Sequence, residues 1–140
     1  MIEYFYEGDY KLETTDNYTD WINKVVSSEE RLLGTINYIF CNDDYLLSIN
    51  QKHLDHNTFT DIITFDYSLG MVISGDVFIS TERVEENAKN FNVPFQEELL
   101  RVMVHGLLHM FGYNDKTDEE RIVMRTKEEE KIKMFHVEQS

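Results

Sequence analysis

The chain has 140 residues, 41% of them hydrophobic and 13% aromatic, with a formal net charge of −14 at pH 7. That length and apolar content specify one domain able to bury its own core, which excludes disordered, fibrous and staple-dependent classes. The strongly acidic balance has the wrong sign for a general nucleic-acid binder, because phosphates are held by Lys and Arg.

In chain order, Ile2 to Tyr6 alternates around aromatic residues and reads as a strand. Gly8-Asp9 is a turn, and Thr15 or Asp16 caps a helix from about Asn17 to Ser27 with Trp21, Ile22 and Val25 inward. Gly34 precedes a second strand, Thr35 to Cys41. Asn42 or Asp43 then caps a short helix to about Lys52, with Leu46, Leu47 and Ile49 inward. His53 to Thr60 is polar and aperiodic, hence a loop. Asp61 to Tyr67 and Met71 to Ser80 are strands three and four, joined by a turn at Leu69-Gly70. Thr81 caps a helix to about Phe91. Pro94 stands near the start of the next, Phe95 to Phe111, where its missing N–H costs little. This helix is apolar on nearly every face from Leu99 onward, so it is expected to be central and buried. Asp118 opens a last helix through Ile122, Val123, Met124 and Ile132 to about Phe135, and the tail from His136 to Ser140 is expected to fray. Four strands and about five interleaved helices predict an α+β fold: a single domain spanning residues 1–140, with a mixed sheet and a central helix.

Several negatives follow as expectations. No apolar run is long enough to span a membrane, and the first ten residues carry three acidic groups and no apolar signal region. A cytoplasmic location is therefore expected. Cys41 is the single cysteine and is expected to pack as a small hydrophobe, with no disulfide-linked partner. Asp118–Glu120, Glu128–Glu130 and Glu82–Glu86 read as solvated acidic faces. Lys11, Lys24, Lys52, Lys89 and Arg101 are dispersed, so only folding can gather a positive strip.

The chemistry concentrates in Val104 to Asp115. His105 and His109 stand four apart, which on a helix puts both imidazoles on one face, one turn apart. Gly112 can adopt the left-handed conformation that ends a helix, and Asp115 follows with a carboxylate. The pattern His-x3-His-x5-Asp supplies three ligands for a zinc ion, or another divalent metal, and leaves the fourth position to water.

This stretch resembles two families. The helix of metzincin proteases reads His-Glu-x-x-His-x-x-Gly-x-x-His, but Gly106 stands where their general-base Glu stands. The signature of the YbeY family of bacterial ribosome-maturation endoribonucleases reads His-Gly-x-Leu-His-x-x-Gly-Tyr-Asp-His. His105, Gly106, Leu108, His109, Gly112 and Tyr113 match it, with Asn114 for the Asp and Asp115 for the last His. Upstream, Asn50, Thr60, Asp61 and Phe65 coincide with the same family's Asn-x-x-Tyr-Arg-x-Lys-Asp-x-x-Thr-Asp-Val-Leu-Ser-Phe. Leu54 replaces its Arg, and His53 and His56 fall at its Tyr and Lys. Either histidine offers a phosphate donor as imidazolium; the alternative is two solvent-exposed loop residues. Ser74-Gly-Asp-Val-Phe-Ile-Ser80 is similar to the family's Leu-Gly-Asp-Ile-x-Ile-Cys. There Gly75 can mark close backbone approach, and Asp76 is either an acceptor for an imidazole N–H or a turn residue.

The resemblance implies a metal-dependent single-strand endoribonuclease acting in 16S rRNA 3′-end maturation and ribosome quality control. One zinc ion would sit on His105, His109 and Asp115, with metal-bound water as the nucleophile and no general base evident. Its partners would be rRNA and the small ribosomal subunit. Two other readings stay open: a metal-dependent peptidase or amidohydrolase, using Glu97 or Glu98 as base, and a non-catalytic assembly factor with a structural metal.

Overall fold

A computed structural model of the chain describes residues 1–54 and 60–139. Its elements are β1 (Ile2–Tyr6), α1 (Asp16–Ser28), β2 (Leu32–Cys41), α2 (Asp43–Leu54), β3 (Ile62–Asp66), β4 (Val72–Ser80), α3 (Thr81–Phe91), α4 (Phe95–Met110) and α5 (Asp118–Gln139). The strands form one mixed sheet in the order β1-β2-β4-β3, with β1, β2 and β4 parallel and β3 antiparallel at the edge. The fold is α+β, and no helix among the described residues is long and apolar enough to cross a membrane.

Side chains on a strand alternate between faces, and here each face has its own core. On β4, Ile73, Val77 and Ile79 join Trp21, Tyr38 and Leu100 in the main core beneath α1, α4 and α5. Phe78 points the other way, toward a smaller cluster of Cys41, Leu46 and Ile63 beneath α2. Cys41 is buried there, and burial pushes its thiol up to about 12, so it packs as a small hydrophobe.

Two glycines let α4 lie close on the sheet. A Cβ on Gly106 would meet Thr64 Oγ1, Ile62 Cδ1 and Val77 Cγ1 at 3.1–3.2 Å, and one on Gly75 would meet the Phe65 carbonyl at 2.4 Å. The close approach expected at Gly75 is thus between β4 and both β3 and α4. The inner face of α4 is apolar throughout, and Leu100, Met103 and Leu107 are fully buried.

Three boundaries differ from the sequence reading. β2 begins at Leu32, so Gly34 lies inside the strand, at a register irregularity between Leu33 and Ile36. The space there is filled by Ser74, whose Oγ a Cβ on Gly34 would overlap. α3 is capped by Ser80, whose hydroxyl accepts from the Arg83 N–H, in place of Thr81. α2 is capped by Asn42, one of the two residues expected there, which accepts from the Tyr45 N–H at 2.8 Å. The last helix continues to Gln139 instead of fraying after Phe135. Phe135 packs on Tyr18 and Trp21, and His136 pairs with Glu97, so the final turns are tethered.

α5 also corrects the reading of its acidic run. Met124, Glu128, Lys131, Ile132 and Phe135 are buried, while Ile122 and Val123 are exposed. The buried Lys131 ammonium donates to Ser28 Oγ and Glu29 Oε2, each at 2.8 Å, and its carbonyl accepts from Trp21 Nε1 at 2.7 Å. These bonds fasten α5 to the end of α1.

Burial pushes the Glu29 carboxyl up, but bonds from Lys131 and Tyr113 and the charges of Lys131 and Lys127 outweigh it and hold it below the usual value. A depressed folded-state pKa contributes stability above the unfolded value, and that stability is lost as pH falls through the folded one. Glu29→Gln is therefore expected to lower stability at pH 7, with the gap to wild type narrowing as pH falls below the unfolded value of about 4.3 and closing as it falls through the folded one. Urea denaturation of both proteins at pH 7 and pH 3.5 checks this. A gap that persists unchanged at the lower pH rules out the charge as its cause.

Candidate metal centre

The centre is built by stopping one helix. α4 ends at Met110, and Gly112 takes a positive φ of 105° that side chains rarely adopt. The Gly112 N–H bonds the His109 carbonyl at 3.0 Å and the Tyr113 N–H bonds the Leu108 carbonyl at 3.0 Å, the paired bonds of a Schellman turn. The chain reverses there and carries Asp115 back over the last turn of α4.

The result is a near-equilateral triangle of ligand atoms. His105 Nε2 and His109 Nε2 are 3.0 Å apart, and Asp115 Oδ2 lies 3.3 Å from the first and 3.5 Å from the second. Tetrahedral zinc with bonds of about 2.0–2.1 Å separates its ligands by about 3.3–3.4 Å, so the residues present fit such an ion. Among the described residues these three are the group that can hold a metal ion.

Both imidazoles are oriented by what their other nitrogen meets. His109 Nδ1 lies 2.9 Å from the Tyr113 carbonyl. A carbonyl only accepts, so the proton is on Nδ1 and the Nε2 lone pair faces the centre. His105 Nδ1 lies 2.7 Å from Glu128 Oε2 and is fixed in the same way by a carboxylate. Burial pushes the His105 pKa down, but the bond and charge of Glu128, then the charges of Asp115 and Asp61, outweigh it and hold it above the ordinary value. The surroundings of His105 thus favour positive charge, the condition a cation site requires.

The expected supporting residue was Asp76, and the structure corrects this. Asp76 is on the face of β4 opposite to Gly75 and Val77, which touch α4, and it accepts from Asn37 Nδ2 at 2.9 Å. The period of two turns it away from the histidines. Glu128 takes the place expected of Asp76. It is 5% exposed and also accepts from Arg101 Nη1 at 3.1 Å. Its spacing from Met124 and Ile132, four residues each way along a helix, was the available signal. The surrounding polar run hid it.

Other candidates separate clearly. Gly106 faces the sheet, so a carboxylate at that position would enter the packing with Thr64 and Val77, away from the centre. Glu97 pairs with His136. Glu98 lies with His105 along a cleft of about 260 Å³, together with Asp61, Asn87, Phe91 and Arg125. Burial raises the carboxyl pKa of both Glu98 and Asp61, against the charges of Arg101 and His105 respectively. Of the dispersed cations named from sequence, Arg101 reaches this cleft, and Arg125 joins it. His53 and Leu54 end α2, and His56 falls outside the described residues.

The turn itself is clamped from α1. Arg31 donates to the Phe111 carbonyl at 2.9 Å, and Tyr113 Oη donates to Glu29 Oε1 at 2.7 Å. The Lys127 ammonium lies 5.6 Å from the centre of the Tyr113 ring.

The sequence profile described as Endoribonuclease YbeY matches residues 5–136. A Flavobacterium psychrophilum protein named Endoribonuclease YbeY is 55% identical over the full length of both chains. One of the same name from Flavobacterium johnsoniae is 57% identical over 99% of this chain and 100% of its own. The solution structure of a Thermotoga maritima protein aligns with a TM-score of 0.69 at 28% identity, covering 96% of this chain and 89% of that one.

Removing the charge on Glu128 leaves the three ligands in place but loosens His105. Glu128→Gln is expected to weaken zinc binding about 10- to 100-fold, the usual effect of losing a ligand's hydrogen-bond partner. Competition against a chromogenic chelator measures it. Unchanged affinity would mean that Glu128 serves only to neutralise Arg101.

Proposed function

The chain belongs to the YbeY family, and on that premise we propose that it is a metal-dependent endoribonuclease cutting single-stranded RNA in the maturation of the 16S rRNA 3′ end. It is a nuclease hydrolase by its relatives' names. Ribosome quality control, the small ribosomal subunit as partner and a cytoplasmic site of action belong to the same proposal. The observation that carries metal dependence is the triangle of His105 Nε2, His109 Nε2 and Asp115 Oδ2, with sides of 3.0, 3.3 and 3.5 Å.

In this reading His105, His109 and Asp115 hold one zinc ion. Such an ion supplies a Lewis acid for a phosphoryl oxygen and brings the pKa of water toward neutrality. The chain's own residues do the positioning. Glu128 and the Tyr113 carbonyl hold both imidazoles with Nε2 inward. Asp115, 38% exposed at its side chain, sits on the solvent side, where a strand arrives. The cleft that begins at His105 gives the strand a path along α4. Gly106, buried against the sheet, places no carboxylate where a metzincin carries its base, which leaves the peptidase reading only Glu98, a buried carboxyl beside Arg101 in the neighbouring cleft.

Protein loaded with zinc is expected to cut a labelled single-stranded RNA and to leave casein intact. His109→Ala and Asp115→Ala are each expected to lose metal and cleavage together, by comparable factors, since each supplies one corner of the triangle. RNA cleavage that survives chelation or either substitution would overturn metal dependence. A His105→Ala protein that folds and still restores 16S rRNA processing in a depleted strain would favour a non-catalytic assembly role.

A further inference from the structure

We propose that the cleft beside the metal centre is a subsite for one unpaired ribonucleotide, whose base stacks on Phe91 and whose phosphate meets Arg125. The proposal rests on the RNA reading above and adds where the strand is held. The walls of the cleft come from three helices and the start of β3, where Asp61 and Ile62 lie. α4 supplies Val102 and His105, α3 supplies Asn87 and Phe91, and α5 supplies Arg125 and Glu128.

Phe91 is the last residue of α3 and is 60% exposed. A lone exposed aromatic is ordinary. This one lines the same cleft as a candidate metal ligand, on a helix end fixed by Asn92 in the left-handed conformation and by the Val93 N–H on the Ala88 carbonyl. An exposed ring on a fixed helix end beside the candidate centre is a platform for a base, because every base has a π-face and stacking tolerates any sequence.

The two arginines of the cleft differ in what they are free to do. Arg101 is engaged with Glu128 at 3.1 Å and Glu98 at 3.9 Å. Arg125 is exposed, and among the described residues its guanidinium has no hydrogen bond or ion pair. Asp61 and Glu98 make the same cleft repulsive to phosphate unless a further cation offsets them, Glu128 being already held by Arg101 and His105. Arg125 supplies that cation with a planar fork suited to phosphate oxygens.

Size limits the occupant. At about 260 Å³ the cleft falls just under the range of small-molecule pockets, about 300–1,000 Å³, which suits one nucleotide unit and not a duplex. A base must also leave its stack to lie on Phe91, so the subsite selects single strands.

The test uses full-length chain and a fluorescein-labelled RNA decamer of mixed sequence. Anisotropy is followed across a salt series, with chelator present to keep the RNA intact. Phe91→Ala is expected to weaken binding about tenfold at every salt concentration, and to have little effect on an abasic ribose-phosphate decamer. Arg125→Gln is expected to flatten the slope of log affinity against log salt by about 0.7, the value for one single-strand phosphate contact. With zinc restored, both variants should raise KM and leave kcat nearly unchanged. Thermal melts and zinc content matching wild type show that the fold and centre are intact. If wild type cuts the decamer but either variant binds like wild type at all salt concentrations, the subsite falls and the nuclease reading stands. Duplex bound as tightly as single strand also overturns the subsite. If zinc-loaded wild type neither binds nor cuts the decamer, the nuclease reading fails, and the subsite with it.

Discussion

The metal centre depends on the termination of α4 at Met110. An α-helix advances about 100° per residue, so a continuing helix would carry residue 115 around the axis, away from the face shared by His105 and His109. Gly112 prevents that, at a φ of 105° where a Cβ would be strained. The same turn does a second task. Its reversal presents the Tyr113 carbonyl to His109 Nδ1, so one backbone event both delivers the third ligand and sets the tautomer of the second. The clamp from Arg31 and Glu29 holds this turn against α1, which makes the geometry at Asp115 a property of the whole helical layer.

α5 works as a brace through buried charge. Glu128 and Lys131 lie in its apolar stripe, and each has an opposite charge and hydrogen bonds in place. Ion pairs of this kind add little net stability over well-packed apolar side chains, while losing one partner is costly. Their value here is in registry. Glu128 meets both Arg101 and His105, which stand four residues apart on neighbouring turns of α4, and Lys131 meets the end of α1. A slip of α5 by one turn would break all of these contacts together. The position of His105 is thereby coupled to the seating of a helix whose sequence looks merely acidic.

Local pattern and tertiary placement were not equally legible in the sequence. Alternation in Ile2–Tyr6, the apolar run of α4 and the spacing of His105, His109 and Gly112 are local, and each element lies close to where its period predicted. Asp76 was misplaced because the sequence states that residues 75 and 76 face opposite ways but not which face α4 covers. Glycine at 75 was the clue, since the bare backbone marks the covered side. Glu128 was missed because its role comes from a contact between α4 and α5, and a run of three glutamates gives no sign of which one turns inward. The tail beyond Phe135 holds its helix through the Glu97–His136 pairing, again a contact distant in sequence.

The net charge of −14 argued against an RNA enzyme from composition alone. The structure changes the weight of that argument, because the acidic groups nearest the centre are engaged. Asp115 faces two imidazoles, Glu128 lies between His105 and Arg101, and Glu29 is held by Lys131 and Tyr113. Apart from Asp61 and Glu98 in the cleft, what remains is largely on exposed positions such as Asp118, whose field is screened over about 8 Å at physiological salt. On the proposed function, a phosphate at short range would meet an ion held by the centre and the guanidinium of Arg125. At longer range it meets a negative surface that disfavours non-specific association. On the proposed function this division is selective: the acidic exterior suppresses capture of arbitrary RNA, and the site engages only a strand already brought within a few ångströms. Affinity for RNA then rests on the short-range contacts at the site, against the opposition of the exterior.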